Sequence, residues 1–419
     1  MTMKKSVIFF LSFYFLIIPG LLTAQDSWKA SPEIVEKLSA NQSEFNYREE
    51  NVPVYHLPEV MKATNGETVK GKKEWLNLRR PEVLEFFAAR VYGRVPRTPF
   101  KTEIQVLKTD KNAMNGAATL KLVDLVFTSG EQSLTLHLGY FIPNNVPEPV
   151  PAFLLICNRG SANIDFTREK KSEFWPAEEV IARGYAIAAF NNADVDPDNF
   201  DEFKNGIHGV LDQERNNESW GTIAAWAWGA SRCLDYFETD KSIAAGKVAL
   251  VGHSRGGKTA LWAGAADQRF AMVVPNEAGC GGTSLARRRY GETIARINKS
   301  FPHWFCLNYR QYGNNEDALP VDMHQLMALI APRALYVASA DQDLWADPRG
   351  QYLALFHSLP VFRLWDKKTS LPETMPALNT PIRSGKVAYH VREGAHNLLL
   401  KDWNWFMDHA DAVLKTKVN

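Results

Sequence analysis

Short apolar runs recur through the second half of the chain, separated by polar loops and by stretches with helical periodicity. Runs that are apolar at almost every position are typical of strands buried on both faces of a parallel sheet. Strands are predicted at 152–157, 185–190, 247–251, 272–275, 334–339 and 387–391, and helices at 173–183, at 220–237 and ending at 325–330. The alternation predicts an α/β fold of three layers, with helices on both faces of a mostly parallel sheet.

The part of the chain before these runs has a different pattern. Residues 80–92 begin with a proline in the first turn and predict a helix. Apolar and polar residues alternate at 120–127 and 134–141, which predicts two antiparallel strands joined by the turn at Ser129 and Gly130.

The N-terminus begins with two lysines, continues with an apolar run over 7–22 and ends with a small residue, Ala24, before a polar stretch. That order is typical of a secretory signal peptide, so we expect cleavage after Ala24 and a mature protein that is secreted or periplasmic, with no membrane contact. The predicted organisation is a signal peptide at 1–24, an irregular lead segment at 25–75 and a catalytic domain at 76–419.

Charge and cysteine content exclude several classes of partner. The 419 residues carry 48 Lys and Arg against 47 Asp and Glu, with no long block of one sign. No nucleic acid partner is therefore expected. The expected oligomeric state is a monomer. The four cysteines permit two disulfides in an exported chain. None has zinc-site spacing, so neither a metal nor another cofactor is predicted.

Residues 248–258 read V-A-L-V-G-H-S-R-G-G-K and place a G-x-S-x-G motif at the end of a buried strand. Residues 259–266 favour a helix, so Ser254 lies in a sharp turn between strand and helix. That context is what a nucleophile elbow requires, and it predicts the α/β-hydrolase fold with Ser254 as the nucleophile.

A serine nucleophile needs a histidine base and an acid that orients the histidine. In this fold the acid and then the histidine follow the serine along the chain. His396 stands in the loop after the last predicted strand and is the predicted base. Asp343 follows the strand at 334–339, which is the usual position of the acid. Glu277 follows the preceding strand, and the residues alone leave the choice between the two open.

Groups that stabilise an oxyanion are expected next to the serine. The backbone N–H of Arg255 is one donor, and its guanidinium adds a fixed positive charge. A second donor is expected from the loop at 158–161, which follows the first buried strand. Lys258 lies one helical turn after Ser254, where it either reaches the site or is simply solvated.

The elbow, residues 252–258, resembles the G-x-S-R-x-G-K segment of glucuronoyl esterases, carbohydrate esterase family 15. Other segments are similar to that family as well: 276–282 (N-E-A-G-C-G-G), 291–293 (G-E-T), 301–305 (F-P-H-W-F), 345–348 (W-A-D-P), 394–396 (G-A-H), 91–96 and 220–223. The resemblance extends over roughly residues 75–410 and is more specific than any one motif.

The resemblance implies a serine carboxylester hydrolase that cleaves esters between (4-O-methyl-)glucuronate on xylan and the alcohols of lignin. The catalytic residues that it implies are Ser254, His396 and, as the acid, Glu277, with Asp343 at the alternative position. The residues that it implies for the oxyanion or the uronate are Arg255, Lys258, Glu292, Trp345 and His303.

One feature departs from the family pattern. Fungal members carry a disulfide between the residue before the serine and the residue after the histidine, and these positions are His253 and Asn397 here. Packing is therefore expected to hold His396. Two other functions are compatible with parts of the pattern: another carbohydrate esterase, such as an acetyl xylan esterase, and a catalytically dead sugar-binding protein. The polar residues implied on the acyl side disfavour the first, and the complete set of catalytic groups disfavours the second.

Overall fold

A ten-stranded mixed sheet runs through the centre of the computed structural model, which describes residues 27–415. Its strands are β1 (Lys101–Ala113), β2 (Ala118–Ser129), β3 (Gln132–Pro143), β4 (Val150–Cys157), β5 (Ala186–Asn191), β6 (Ile243–His253), β7 (Met272–Asn276), β8 (Ala334–Ala340), β9 (Ile382–Ser384) and β10 (Val387–Arg392). The order across the sheet is β1-β2-β3-β5-β4-β6-β7-β8-β10-β9. Pairing is parallel from β5 to β10 and antiparallel at both ends, which makes the sheet mostly parallel, as predicted.

Helices cover both faces of this sheet. They are α1 (Pro32–Asn41), α2 (Lys72–Glu74), α3 (Arg80–Phe87), α4 (Ala177–Ala182), α5 (Gly206–Leu211), α6 (Thr222–Phe237), α7 (Arg255–Ala266), α8 (Ile294–Ser300), α9 (Met323–Ala328), α10 (Pro348–Phe362) and α11 (Leu400–Leu414). Helices α2 and α3 belong to one helical run, which two π-helical turns, Trp75–Arg79 and Ala88–Tyr92, join and extend. Within residues 27–415, no helix combines the length and apolarity needed to span a membrane.

Side chains of the central strands alternate between two apolar cores. In β4, Leu154 and Ile156 pack into one cluster with α6 and α7, while Phe153 and Leu155 pack into the other with α11. All four are fully buried. The continuous apolar runs in the sequence reflect this burial on both faces, and the three-layer prediction is confirmed.

Several elements lie outside the predicted ranges, and two of the differences concern the N-terminal part of the chain. Strand β1 was not predicted, because it is an edge strand whose side chains are almost all exposed and need no apolar alternation. The lead segment, expected to be irregular, contains the helix α1. This segment packs against the domain, since Tyr47 accepts a hydrogen bond from the hydroxyl of Tyr290 at 2.8 Å. The predicted signal peptide lies outside the described residues.

The parallel order sets the location of the candidate site. Strands β6, β7, β8 and β10 are adjacent, and their carboxyl ends lie at one edge of the sheet. Ser254 follows β6, Glu277 follows β7, Asp343 follows β8 by a short turn and His396 follows β10. Residues separated by more than one hundred positions in sequence are thereby brought to one edge.

The four cysteines, Cys157, Cys233, Cys280 and Cys306, are free and buried, so the two disulfides that their number permitted are not formed. Burial raises the pKa of each thiol, which keeps it in the unreactive protonated form. All four appear as small core residues.

We expect the folded protein to resist thiol reagents. With Ellman's reagent at pH 8, the native protein should release almost no chromophore, whereas protein unfolded in guanidinium without reductant should titrate four thiols. The thermal midpoint should be the same with and without dithiothreitol. Fewer than four thiols in the unfolded, unreduced protein would reveal a disulfide and contradict the structure.

Candidate active site

A strained turn projects Ser254 from the end of β6. Its backbone has φ of +57° and ψ of −121°, a conformation that costs a non-glycine residue about 1–3 kcal/mol. The backbone N–H of Ser254 donates to the carbonyl of Asn276 at 2.9 Å, which fixes the turn against β7. A side chain at position 252 is excluded, because a Cβ on Gly252 would lie 1.9 Å from the carbonyl oxygen of Gly256. The turn has the geometry predicted for a nucleophile elbow.

Both candidate acids contact the same nitrogen of His396. The Nδ1 atom of His396 lies 2.6 Å from Oδ2 of Asp343 and 3.0 Å from Oε2 of Glu277. A single N–H points between two carboxylates, so the distances favour Asp343 as the direct acceptor while keeping Glu277 within reach. The arrangement leaves Nε2 of His396 as the ring nitrogen available for a serine proton.

Glu277 has more partners than Asp343. Its Oε1 atom accepts a hydrogen bond from Nη2 of Arg392 at 2.6 Å, and its Oε2 atom accepts one from the backbone N–H of Asn397 at 2.9 Å. The residue is 1% exposed. Glu277 therefore anchors the loop that carries His396 in addition to contacting the imidazole.

Burial and neighbouring charges shift the pKa values of both Glu277 and His396. Burial, together with the charge of Asp343, raises the pKa of Glu277 to about 7, although the hydrogen bond from His396 and the charge of Arg392 oppose the rise. Burial disfavours the imidazolium of His396, but hydrogen bonds to Asp343 and Glu277 outweigh it and raise that pKa to about 9. Both carboxylates thus stabilise the protonated histidine, which is the form a general base reaches after taking a proton.

Hydrogen bonds connect positions 253 and 397, the positions at which the resemblance to fungal glucuronoyl esterases implies a disulfide. Arg159 donates from Nη1 to the side-chain oxygen of Asn397 at 2.5 Å and contacts Nε2 of His253 at 3.0 Å. The side-chain amide of Asn276 lies 2.8 Å from Nδ1 of His253 and donates to the carbonyl of Asn397 at 2.9 Å. The ring of His253 packs 4.4 Å from that of His396, centroid to centroid. Packing alone was expected here, and the polar bridge is an addition to it.

The guanidinium of Arg255 is held beside the elbow by an acidic partner. Its Nη1 atom donates to Asp198, and the group lies 4.9 Å from the ring centroid of Trp304. Asp198 also accepts from Nε1 of Trp304 at 2.7 Å and contacts Nε2 of His303 at 3.1 Å. Burial opposes ionisation of Asp198, but His303, Arg255 and Trp304 outweigh it and lower its pKa. Arg255 is therefore fixed in place before any ligand arrives.

A cavity of about 340 Å³ opens in front of these groups. Its floor includes Lys258, which is 4% exposed and donates from Nζ to the carbonyl of Ala278 at 2.6 Å. The carboxylate of Glu292 lies 3.9 Å from that Nζ atom. The cavity is lined by Ser254, Arg255, Lys258, Glu277, Gly279, Glu292, Phe301, Trp304, Asp343, Trp345, Ala346 and His396. It combines buried charged groups with aromatic walls, a composition suited to a polar ring.

Comparison with known proteins identifies the family. A family model described as glucuronyl esterase, fungi, matches residues 128–364. A carbohydrate esterase from an unknown prokaryotic organism is 38% identical over 425 residues, which cover 93% of this chain and 96% of that protein. The solved glucuronoyl esterase from Solibacter usitatus is 36% identical, with a TM-score of 0.81 over 87% of this chain and 99% of that one. The chain belongs to the glucuronoyl esterase family, carbohydrate esterase family 15.

A fungal relative extends the comparison. The 4-O-methyl-glucuronoyl methylesterase 1 of Phanerochaete chrysosporium is 34% identical over 301 residues, and the match covers 70% of this chain and 58% of that protein. Membership of the glucuronoyl esterase family makes the protein a carboxylic ester hydrolase.

Most residues expected to act together in this glucuronoyl esterase do share one cavity, but two expectations differ. His303 does not line the cavity; it lies behind the wall and contacts Asp198. No residue of the loop at 158–161 is among those that line the cavity, and the side chain of Arg159 contacts His253 and Asn397. Lys258, for which solvation was the alternative, is buried at the cavity floor.

Sequence reasoning missed Asp198 and Arg392. Asp198 lies in the acidic loop D-V-D-P-D after β5, at the same edge of the sheet as the serine. Arg392 ends β10 and is fully buried. A charged residue at the end of a strand that is otherwise buried must have a partner, and this requirement could have directed attention to Glu277.

Three side chains in the described part of the chain form a group that could hold a metal: His253, Glu277 and His396, whose ligand atoms lie within 4.8 Å of one another. Both nitrogens of His253 already contact Asn276 and Arg159. Both oxygens of Glu277 are hydrogen-bonded as described above. The lone pairs that a metal requires are thus largely engaged.

Activity should accordingly survive chelation. We expect the rate of ester hydrolysis to be unchanged after dialysis against EDTA, because the side chains that could bind a metal are already engaged in hydrogen bonds. Initial rates before and after dialysis, with and without added Zn²⁺, Mg²⁺ or Ca²⁺, measure this. Loss of activity on dialysis and recovery with one divalent ion would contradict it.

The two acids should share the task of supporting His396. Since both carboxylates reach Nδ1, Asp343→Asn and Glu277→Gln should each lower kcat by about 10- to 100-fold, and the double variant by about 10⁴-fold, as loss of the acid does in other triads. Glu277→Gln should be the more damaging single change, because it also removes the anion that pairs with Arg392. Turnover on one soluble glucuronate ester measures all three. A Glu277→Gln protein near wild type beside an inactive Asp343→Asn protein would show that Asp343 acts alone.

Proposed function

We propose that this protein hydrolyses esters of glucuronic or 4-O-methyl-glucuronic acid on xylan, with lignin alcohols as the leaving groups, through an acyl-enzyme on Ser254. The observation that supports this proposal most strongly is the position of Ser254, His396 and two acids around a polar cavity of about 340 Å³, in a chain of the glucuronoyl esterase family. The named activity of the Phanerochaete relative agrees with it.

In the proposed reaction, Nε2 of His396 takes the proton of the Ser254 hydroxyl as its oxygen attacks the ester carbon. The tetrahedral intermediate collapses, the alcohol leaves with the proton from His396, and the glucuronoyl group stays on Ser254. Water then attacks the acyl-enzyme with His396 again as base, which releases the free uronic acid. Asp343 and Glu277 hold the imidazole through Nδ1 in each step.

Arg255 would stabilise the oxyanion in both tetrahedral intermediates. Its backbone N–H belongs to the first residue of α7, where helix N–H groups point away from the helix and toward the nucleophile. Its guanidinium, fixed by Asp198, adds positive charge at the same position.

The uronate ring would occupy the cavity on the acyl side. The side chains of Lys258 and Glu292 are only 5% and 9% exposed. A sugar that lacks the hydroxyls they bind would leave these polar groups without partners, so the matching hydroxyls are recognised strongly. Trp345 offers a ring face at the cavity wall, and it is supported edge-on by Phe45 at 4.8 Å. An acetyl group would leave these polar groups unpaired, which argues against a deacetylase.

We also propose that the protein acts outside the cytoplasm, in the periplasm or beyond the cell. The positively charged start, the apolar run and Ala24 in the sequence support this location. A polymer such as glucuronoxylan is accessible only there.

The proposal predicts a strong preference for the uronate acyl group. The value of kcat/KM for benzyl glucuronate should exceed that for p-nitrophenyl acetate, and Ser254→Ala should lose on the order of 10⁶-fold in kcat while keeping its thermal midpoint. Lys258→Met is the matched test of the cavity, because it should lower activity on the glucuronate ester far more than on the acetate. Faster cleavage of the acetate, unaffected by Lys258→Met, would favour an acetyl esterase. Binding without turnover of either ester would favour a sugar-binding protein.

A further inference from the structure

Behind the candidate triad, a line of four buried charged or titratable side chains leads away from the cavity. Arg392 donates from Nη2 to Glu277 at 2.6 Å and from Nε to Oδ2 of Asp402 at 3.0 Å. The second oxygen of Asp402, Oδ1, lies 2.9 Å from Nε2 of His390. The side chains of Glu277, Arg392, Asp402 and His390 are all inaccessible to solvent.

Arg392 also binds the backbone that carries the histidine. Its guanidinium donates to the carbonyl oxygens of Ala395 at 3.0 Å and Asn397 at 2.7 Å, on either side of His396. A third carbonyl, that of Glu393, accepts from Nη1 at 3.1 Å. The guanidinium therefore links Glu277, one candidate acid, to the loop that carries His396, the candidate base. Each of its three nitrogens donates to at least one oxygen.

The charges around Glu277 explain why a cation is needed there. Within residues 27–415, Arg392 forms an ion pair with Glu277, and no other arginine or lysine does so. Asp343 is a second carboxylate on the same imidazole nitrogen, and like charges so close together disfavour joint ionisation. The titratable or charged groups that face Glu277 are Arg392 from β10, His396 from the following loop, Asp343 from the loop after β8, His253 from β6 and Arg159 from the loop after β4.

We propose that Arg392 is a positioning residue that keeps Glu277 ionised, so that His396 is supported by two anionic carboxylates instead of one. Asp402 accepts a hydrogen bond from Nε of the guanidinium, and His390 contacts the other carboxylate oxygen of Asp402. Arg392 touches neither the cavity nor the reacting atoms, so it acts only through Glu277 and through the loop that carries His396. This inference rests on the proposed esterase function and on His396 as its base.

Loss of the positive charge at position 392 should move the pKa of His396 in one direction only. A neutral residue at position 392 leaves Glu277 buried beside Asp343 without the guanidinium. The pKa of Glu277, which burial already raises to about 7, then rises further, so Glu277 is protonated over a wider pH range. The imidazolium of His396 then loses one of its two anions, and the pKa of His396 falls. Because the base must be neutral to act, the acid limb of the pH profile of kcat/KM moves to lower pH. A nearby charge shifts a pKa by about 1–3 units, and we expect a shift of about one pH unit toward acid.

The test is the pH profile of kcat/KM on benzyl glucuronate for Arg392→Gln, Arg392→Lys, Glu277→Gln and the double variant Arg392→Gln with Glu277→Gln. Arg392→Gln should move the acid limb to lower pH, and Arg392→Lys, which keeps the charge, should restore it toward the wild-type position. In the Glu277→Gln background, Arg392→Gln should no longer lower the limb. Arg287→Gln is the matched control, since Arg287 is also buried and pairs with Asp322 and backbone carbonyls but lies outside the cavity, and its limb should not move.

A limb that stays in place in Arg392→Gln, or moves to higher pH, would overturn the inference, because Glu277 would then remain ionised without the guanidinium. An acid shift of equal size with and without Glu277 would overturn it as well. If Arg392→Gln fails to fold, Arg392→Gln with Asp402→Asn removes the second unpaired carboxylate and carries the same expectation. Absence of glucuronate ester turnover in the wild-type protein would instead defeat the proposed function.

Discussion

Glu277 and Arg392 form an ion pair with no access to solvent, and the loops that carry the candidate catalytic groups are fixed around it. The pair joins the turn after β7 to the end of β10, two strands that are separated by β8 in the sheet. Through its other hydrogen bonds, the same pair orders the backbone on both sides of His396. Removing one member of such a pair costs about 3–5 kcal/mol in proteins, because the remaining charge is left buried and unpaired. The position of His396 is thus tied to the stability of the fold.

Burial of this much charge would be a poor way to obtain stability alone, since an apolar replacement of similar volume is often as stable. The arrangement instead fixes the orientation of the Glu277 carboxylate. Arg392 has its N–H groups directed at two carboxylates and three carbonyls, and this leaves Glu277 one oxygen edge for His396 and Asn397. Arg159 and Asn276 secure the same loop from the opposite side through His253 and Asn397. A covalent bridge between positions 253 and 397 is unnecessary when both positions are hydrogen-bonded to the same two side chains.

Much of the fold could be predicted from the sequence, because strands buried on both faces leave continuous apolar runs and the elbow has a local signature. The order of Ser254, the two acids and His396 after successive strands followed from the same runs. The limits were also physical. Strand β1 lies at an exposed edge, where almost none of its side chains is buried and a regular apolar alternation is not needed. The partners of Arg392 and Asp198 are distant in sequence, so only the folded chain reveals which charges meet. Even the burial of Lys258 depends on the segment after β7 that covers it, through the carbonyl of Ala278.

The contacts of Arg255 refine what an arginine beside the nucleophile contributes. Its guanidinium is already paired with Asp198, and Asp198 is in turn held by Trp304 and His303. Two unit charges about 4 Å apart interact by about 4 kcal/mol at an effective dielectric constant of 20, so a fixed carboxylate offsets much of the field of the cation. What remains is an oriented ion pair that does not need to reorganise when negative charge develops on the ester oxygen. In an active site, such preorganisation is worth more than a freely moving charge, because the cost of ordering the donors is met during folding. His303, although outside the cavity, belongs to this support through Asp198.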